Sequence, residues 1–202
     1  MPITAIHFNS LGKRAVTAAD PRITPLTVHE LDEHARALLQ LPLKGHGRND
    51  VSPFLLTVVR HAGLYRHFAP FAGKLLVGGK LPPRDRELAI LRGAWLCSAA
   101  YEWGEHVGIA RSVGITPAEI ECVKQGSVHT GWNAHERAIL EATEELHREA
   151  KISDRTWQAL AQRYDERQLI ELPMLVGGYQ MIAYVQNALQ VALPEGSRGL
   201  DA

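Results

Sequence analysis

The sequence is poor in cysteine and has no surplus of charge of either sign. Its 202 residues include two cysteines, Cys97 and Cys122, and neither lies at the spacing of a disulfide framework or a metal site. This scarcity predicts a reducing compartment, and we interpret the chain as cytoplasmic. The 22 basic residues balance the 22 acidic residues, so no charged surface is expected to attract a nucleic acid or an anionic membrane.

Long apolar runs and several enzyme motifs are also missing. No stretch approaches the roughly 20 uninterrupted apolar residues of a membrane-spanning helix, and residues 1–20 lack the apolar run of a signal peptide. Among ten histidines there is no HExxH motif, so the sequence gives little support for zinc and we expect no metal. GxSxG and a phosphate-binding glycine loop are absent too, which argues against a serine hydrolase or a nucleotide-binding enzyme.

The patterns that are present predict an all-α fold in a single domain. Apolar residues recur at helical spacing, and alternating strand patterns are scarce. Four capping boxes indicate helix starts: Thr27 with Glu30, Thr116 with Glu119, Asn133 with Glu136, and Asp165 with Gln168. We expect helices over 27–41, 53–61, 64–79, 83–113 with a break near Ser98, 117–125, 134–149, 154–163 and 166–192.

The composition divides the chain into a central domain with an extension at each end. We expect an N-terminal extension over residues 1–21, a helical domain over 22–193 and a C-terminal tail over 194–202. Pro42 to Asp50 reads as a loop. Residues 192–202 read as a frayed tail, because their Pro, Gly and Ser content buries little surface.

Polar residues interrupt an otherwise apolar helix between Leu81 and Gly114. Glu102 and His106 are four positions apart, so on a helix they share one face and can form a hydrogen bond. A carboxylate beside an imidazole suits acid–base catalysis, but a solvent-facing Glu–His pair on a long helix is the commoner structure at this spacing. Glu87 has two interpretations as well, as a catalytic acid or as an acid near a helix N-terminus.

Two further groups of side chains in this stretch could serve a ligand. The large aromatic residues could line a pocket, although such residues at helical spacing are more often part of a core; they are Trp95, Tyr101 and Trp103. The arginines could hold a carboxylate, although arginines on helices usually form exposed ion pairs; they are Arg84, Arg86 and Arg92.

The run LPPRDRELAILRGAWLCSAAYEWGEHVGIARSVGIT resembles the signature of the carboxymuconolactone decarboxylase family, a relative of the alkylhydroperoxidase D (AhpD) proteins. The resemblance continues through RYDERQLIELPMLVGGYQMIAYVQNAL and covers most of residues 22–193. PPRDRE followed by YEWxxH resembles one subgroup in particular. The resemblance implies an AhpD-like helical bundle and a homo-oligomer, trimer or hexamer, which the apolar C-terminal helix would suit.

The residues that match the redox motif of this superfamily are not cysteines. In the thiol-active relatives a glutamate precedes a CxxCxxxH motif. Alignment of its histidine on His106 puts the glutamate on Glu87 and the two cysteines on Ala99 and Glu102. Peroxide reduction needs one thiolate to attack and a second thiol to resolve the sulfenate. Cys97 matches neither position, so the resemblance favours proton transfer by Glu87, Glu102 and His106.

The resemblance thus implies a cofactor-independent lyase that decarboxylates a small carboxylated lactone or a related compound of aromatic catabolism. Glu87, Glu102 and His106 are the expected catalytic residues, and the candidate substrate-binding residues are Arg86, Arg92, Tyr101 and Trp103. Another lyase, isomerase or hydratase reaction would suit the same acid–base set. A peroxidase using Cys97 or Cys122 and a non-catalytic ligand-binding protein on the same scaffold remain alternatives.

Overall fold

The computed structural model describes residues 20–43 and 51–202. Within these ranges the chain forms nine α-helices, three short 3₁₀ turns and no strand. The helices are α1 (Glu33–Leu43), α2 (Pro53–Val58), α3 (Ala62–Val77), α4 (Pro83–Leu96), α5 (Ala100–Ser112), α6 (Pro117–Gln125), α7 (Ala134–Glu149), α8 (Asp154–Ala161) and α9 (Glu166–Leu189). The all-α fold that the sequence predicts is confirmed. No helix of the described ranges is both long and apolar enough to cross a lipid bilayer.

Side-chain caps set most helix starts, as the sequence predicts. The boxes at the starts of α6, α7 and α9 form with both of their hydrogen bonds. The Thr27 box also forms its bonds to Glu30, but it closes an isolated turn, and the helix predicted from residue 27 begins only at Glu33. Asp32 explains the difference, because its Oδ1 accepts from Ala35 N at 2.7 Å and caps the helix there.

The break between α4 and α5 allows both helices to pack along the same core. Ser98 has a left-handed backbone (φ 51°), a conformation that ends a helix because it cannot continue the right-handed turn. Ala99 N then donates to Ala94 O at 2.9 Å, and Ala99 itself is fully buried. The break that the sequence predicts near Ser98 is thus confirmed.

Helix α4 lies at the centre of the molecule. It packs against α5, α7 and α9, and residues 88–91 are all buried. A helix surrounded by others has no solvent-facing side. A polar side chain on the inner part of α4 must therefore find its partners inside the protein.

The C-terminal tail is packed, which differs from the frayed tail that the sequence predicts. A 3₁₀ turn at Gly199–Asp201 lies on α5, and Gly199 comes so close to Ala100 that an added Cβ would meet the Ala100 methyl at 3.2 Å. Leu200 and Ala202 pack against the core. Residues 1–19 of the predicted N-terminal extension and residues 44–50 of the predicted loop lie outside the described residues.

Candidate active site

Helices α4 and α5 bring the three predicted catalytic residues together. Glu87 extends from α4, and Glu102 and His106 lie one turn apart on α5. Their exposed fractions are 0% for Glu87, 4% for Glu102 and 5% for His106. The interpretation of Glu102 and His106 as an ordinary solvent-facing pair therefore does not hold.

The ring of His106 lies between two carboxylates. Its Nδ1 is 2.7 Å from Glu87 Oε2, and its Nε2 is 3.1 Å from Glu102 Oε1. A histidine donates from both ring nitrogens only when it is protonated, and an ionised carboxylate can only accept. The arrangement therefore suits an imidazolium held between two carboxylates.

The carboxylates of Glu87 and Glu102 each accept a second hydrogen bond, from a residue other than His106. Arg86 Nε donates to Glu87 Oε1 at 2.8 Å, and Gln186 Nε2, from α9, donates to Glu102 Oε2 at 2.6 Å. With His106 protonated, two cationic and two anionic side chains balance one another. Buried charges are tolerated when they are paired and hydrogen-bonded in this way.

The pKa values of His106 and Glu87 are shifted in opposite directions. Burial alone would lower the pKa of His106, but the charge of Glu87 and hydrogen bonds to Glu102 and Glu87 outweigh it and raise this pKa to about 10. Burial would raise the pKa of Glu87. The charge of His106 and hydrogen bonds from His106 and Arg86 nevertheless bring it below the ordinary range. Near neutral pH the pair is therefore an ion pair.

Helix α9 contributes two residues that the sequence analysis did not identify. Tyr179 packs edge-on against His106, with ring centroids 5.1 Å apart and planes at 88°. Burial, followed by the charges of Glu102 and Glu87, raises the pKa of Tyr179 well above its ordinary value, so the phenol stays protonated. Gln186 holds Glu102, and its own Oε1 is buried without a hydrogen-bond partner. The two polar groups are seven positions apart, a spacing that places both on one face of a helix, and this spacing is the signal that could have identified them.

Among the predicted substrate-binding residues, Arg86 contacts the triad of Glu87, Glu102 and His106. Arg92 contacts α6 and α7 instead, through Glu144 Oε1 at 2.9 Å and the carbonyl oxygens of Val123 and Lys124. Arg84 has a comparable role and pairs with Glu119 and Glu136. Arg84 and Arg92 therefore connect helices.

The predicted aromatic residues belong to the core. Trp103 is fully buried and packs on Trp95, with ring centroids 5.3 Å apart. The Tyr101 hydroxyl accepts from Phe54 N at 3.4 Å and joins α5 to α2. The sequence predicts Tyr101 and Trp103 as substrate-binding residues. In the structure, the contacts of both side chains are those of core packing.

Cys97 lies away from the positions of the missing redox thiols. It follows the last residue of α4, half-buried, with its Sγ 3.8 Å from His147 Nδ1. Burial raises the pKa of the Cys97 thiol, which disfavours the thiolate that peroxide chemistry requires. The two positions that align with the redox thiols, Ala99 and Glu102, are buried.

Two clefts on the protein lie away from the triad. One cleft of about 430 Å³ is lined by residues 133–135, 159, 162 and 163, and one of about 320 Å³ lies between α7 and α9. Neither includes Glu87, Glu102 or His106. Over residues 20–43 and 51–202 no three His, Cys, Asp or Glu side chains are arranged to hold a metal ion. Glu87, Glu102 and His106 thus form a compact acid–base cluster between α4, α5 and α9.

The segment that contains the triad matches a known family. Residues 62–145 match the model of the carboxymuconolactone decarboxylase family. The matched segment includes Glu87, Glu102 and His106, whereas Tyr179 and Gln186 lie beyond its end. No curated protein is similar enough to the chain to count as a relative.

Several solved structures are similar over most of the chain, and they confirm the AhpD-like fold that the sequence predicts. An uncharacterised peroxidase-related protein with an AhpD core from Ralstonia eutropha JMP134 is 15% identical, with a TM-score of 0.75, over 87% of this chain and 93% of that one. A peroxidase-related protein from Silicibacter sp. TM1040 is 15% identical, with a TM-score of 0.69, over 92% and 98%. The debrominase Bmp8, bound to 2,3,4-tribromopyrrole, is 16% identical, with a TM-score of 0.68, over 86% and 91%. At these identities the likeness establishes the fold.

Proposed function

We propose that the chain is a cofactor-independent lyase that removes carbon dioxide from a small carboxylated lactone or a related compound of aromatic catabolism. The observation that carries the proposal is the His106 ring, which lies between the carboxylates of Glu87 and Glu102 in a buried site. This arrangement keeps the His106 ring protonated near neutral pH. It also lies within the segment that matches the carboxymuconolactone decarboxylase family.

The reaction requires one proton from the protein. When the bond between the carboxylate carbon and the ring carbon breaks, carbon dioxide leaves and the electron pair remains on the substrate as an enolate. A proton from the site then forms the new C–H bond, and water returns a proton to the enzyme. His106 suits the role of general acid, because the two neighbouring carboxylates keep it protonated near neutral pH.

The proton is proposed to reach the substrate through Glu102. Both ring nitrogens of His106 already face a carboxylate, at 2.7 Å for Glu87 and 3.1 Å for Glu102. The contact to Glu102 is the longer one, and Glu87 is the more buried of the two acids. Glu102 therefore exchanges the proton between His106 and the substrate, while Glu87 holds the other side of the ring.

Arg86 is the proposed partner of a substrate carboxylate. Its Nε is used by Glu87, but a guanidinium has five N–H groups in a planar fork, so further donors remain for a second carboxylate. The side chain is 12% exposed and lies at the edge of the buried cluster. A carboxylate bound there would be connected to Glu102 through Glu87 and His106.

The proposal is tested by measuring carbon dioxide release from carboxymuconolactone by the native chain and by His106→Gln. Because general acid catalysis contributes about 100-fold to 10,000-fold, we expect kcat to fall by at least about 100-fold. His135→Gln is the matched control, since His135 is also buried and also pairs with a carboxylate, Asp85 at 3.0 Å. Full activity of a folded His106→Gln variant would overturn the role of His106.

A thiol peroxidase is the second candidate, and the AhpD-like neighbours together with the Cys97–His147 contact are the observations that favour it. The raised pKa of the Cys97 thiol weighs against it. Hydroperoxide consumption that is lost in Cys97→Ser, with no carbon dioxide release by the native chain, would favour this function over the lyase.

Two further proposals concern the oligomeric state of the protein and its compartment in the cell. We propose that the chain forms a homo-oligomer, in keeping with the apolar character of α9. We also propose that it works in the cytoplasm, because its two cysteines are both free. Light scattering on the purified chain and fractionation of cells that express it would test these two statements separately.

A further inference from the structure

A second set of ionisable side chains meets between α4, α7 and the segment that joins α8 to α9. His135 Nε2 lies 3.0 Å from Asp85 Oδ2, and the Tyr164 hydroxyl donates to the same oxygen at 2.8 Å. The rings of His135 and Tyr164 are in edge contact, with centroids 4.6 Å apart and planes at 88°. The protein therefore holds another carboxylate–imidazole pair, which shares no residue with the triad.

These contacts determine which nitrogen of the His135 ring carries a hydrogen. An ionised carboxylate only accepts hydrogen bonds, so the hydrogen between His135 and Asp85 belongs to Nε2. In the neutral ring Nδ1 is then an acceptor. This Nδ1 is buried and has no hydrogen-bond partner in the part of the chain that the structure describes. A buried polar atom without a partner is costly, and it points to a ligand that supplies one.

A cleft beside His135 has room for such a ligand. It is the larger of the two clefts described above, with a volume of about 430 Å³, which falls within the range of about 300–1,000 Å³ that is typical of small-molecule sites. His135 lines this cleft and is only 7% exposed. Its ring thus belongs to the wall of the cleft and is shielded from bulk solvent.

The other groups that line the cleft favour a negative charge. Arg163 is exposed, and its guanidinium pairs with no carboxylate within residues 20–43 and 51–202. The start of the 16-residue helix α7 lines the same cleft, and the positive end of a helix attracts anions. Asn133 Oδ1 already accepts from His135 N and Glu136 N, both at 3.0 Å, so the backbone donor left for a ligand is Ala134 N. None of the six described residues that line the cleft is acidic.

We propose that this cleft is a second small-molecule site and that its ligand is a hydroxy acid. The carboxylate of the ligand binds Arg163 and the start of α7. Its hydroxyl donates to His135 Nδ1, and Asp85 and Tyr164 hold the ring in the accepting tautomer. The methyl groups of the alanines that line the cleft leave space for an apolar body between these two polar ends.

The second site does not rest on the lyase proposal. No member of the triad lines the cleft, and the side-chain partners of His135 are Asp85 and Tyr164. Carbon dioxide release should therefore be the same with the cleft occupied or empty. His135→Gln accordingly remains a valid control for His106→Gln, and failure of either proposal leaves the other intact.

The first test compares mandelate with phenylacetate, which is the same anion without the hydroxyl, as ligands of the native chain. Dissociation constants are measured by titration calorimetry, and backbone amide shifts of Ala134 and Arg163 in NMR spectra locate the binding. We expect the preferred enantiomer of mandelate to bind about three- to tenfold more tightly, as one additional hydrogen bond implies. Equal constants, or no saturable binding of either anion, would overturn the proposal.

The second test assigns the two ends of the ligand to their residues. Arg163→Gln should weaken both anions alike and keep their ratio. Arg167→Gln is the matched control, because Arg167 is also exposed and does not line the cleft. His135→Phe retains a ring beside Tyr164 but no nitrogen, so it should bring the ratio close to one. Unchanged binding by Arg163→Gln would contradict the site, and so would a folded His135→Phe variant that keeps the preference for mandelate.

Binding of the same probes at the triad is distinguishable in these measurements. It would be lost in His106→Gln and unaffected by Arg163→Gln, and that result would also overturn the second site. If His135→Phe does not fold, the mandelate ratio of the native chain and the exposed Arg163→Gln variant still decide the question.

Discussion

Glu87 Oε2 and His106 Nδ1 lie 2.7 Å apart, although the two residues are 19 positions apart in the sequence and extend from different helices. Both side chains are buried, so their charges interact with little screening by solvent. The contact fixes the orientation of the ring and keeps it protonated. Stability, pH dependence and the proposed catalysis all depend on this pair.

The stability of the protein should fall as the pH rises above neutral. The folded-state pKa of His106 is raised from 6.5 to about 10, so its contribution to stability is complete below pH 6.5 and is lost as the pH rises towards 10. The slope is about 1.4 kcal/mol per pH unit for one proton. We expect the free energy of urea unfolding to be lower at pH 8.5 than at pH 6.5, with most of this difference absent in His106→Gln. Equal slopes in the two proteins would refute the assignment to His106.

Removing both members of the pair should destabilise the protein by less than the sum of the two single removals. In His106→Gln two carboxylates stay buried without their shared cation, and loss of one partner of a buried ion pair costs about 3–5 kcal/mol. Glu87→Gln alone should also be destabilising. The double variant should lose less than the sum of the two single losses, because the groups are in direct contact. Unfolding free energies of the four proteins at pH 7 test this, and simple additivity would argue against the pairing.

Gln186 should stabilise Glu102 specifically. Its Nε2 donates at 2.6 Å to a carboxylate oxygen that is almost fully buried, and a hydrogen bond to a charged group contributes about 1.5–3 kcal/mol. Gln186→Leu should therefore lower the unfolding free energy by about 2 kcal/mol and also reduce turnover. Gln180→Leu, in the same helix but bonded to Tyr184, should have a much smaller effect. Similar losses in both variants would mean that Gln186 only fills space.

Gly126 should tolerate a methyl group less well than Gly114. Both have positive φ, +81° for Gly126 and +87° for Gly114, so alanine is strained at each by about 1–2 kcal/mol. At Gly114 the added Cβ meets nothing within 4 Å, whereas at Gly126 it collides with the Arg92–Glu144 ion pair. Thermal unfolding of the two alanine variants should show the larger loss for Gly126→Ala. A smaller loss at Gly126 would mean that this ion pair can move without cost.

The sequence predicts much of the fold because its signals are local. Capping boxes give the starts of α6, α7 and α9, since the bonds involved span only three residues. The Thr27 box fails as a helix start for a reason that is also local, because Asp32 supplies a cap closer to the apolar run. The packing of the C-terminal tail is not predictable from local signals. It depends on a contact between Gly199 and Ala100, which are distant in the sequence.

The candidate site is only partly predictable, because its contacts join residues that are distant in the sequence. The spacing of Glu102 and His106 places them on one face of a helix, but it does not state whether that face is buried. Glu87 is identified as their partner by the family resemblance, and the structure supplies its contact with His106. Gln186 lies 84 positions from Glu102, and its role follows from how α9 packs across α5. The direction in which Arg92 points is likewise a tertiary property.

Helix α9 connects the site with the surface of the protein. Its inner side holds Tyr179 against His106 and Gln186 against Glu102, and Met174, Met181 and Tyr184 of the same helix are exposed. If the proposed homo-oligomer forms through α9, diluting the protein below the concentration at which copies associate should loosen this helix. Specific activity should then decline with dilution in the native chain, and recover on reconcentration, so that catalysis reports the association state.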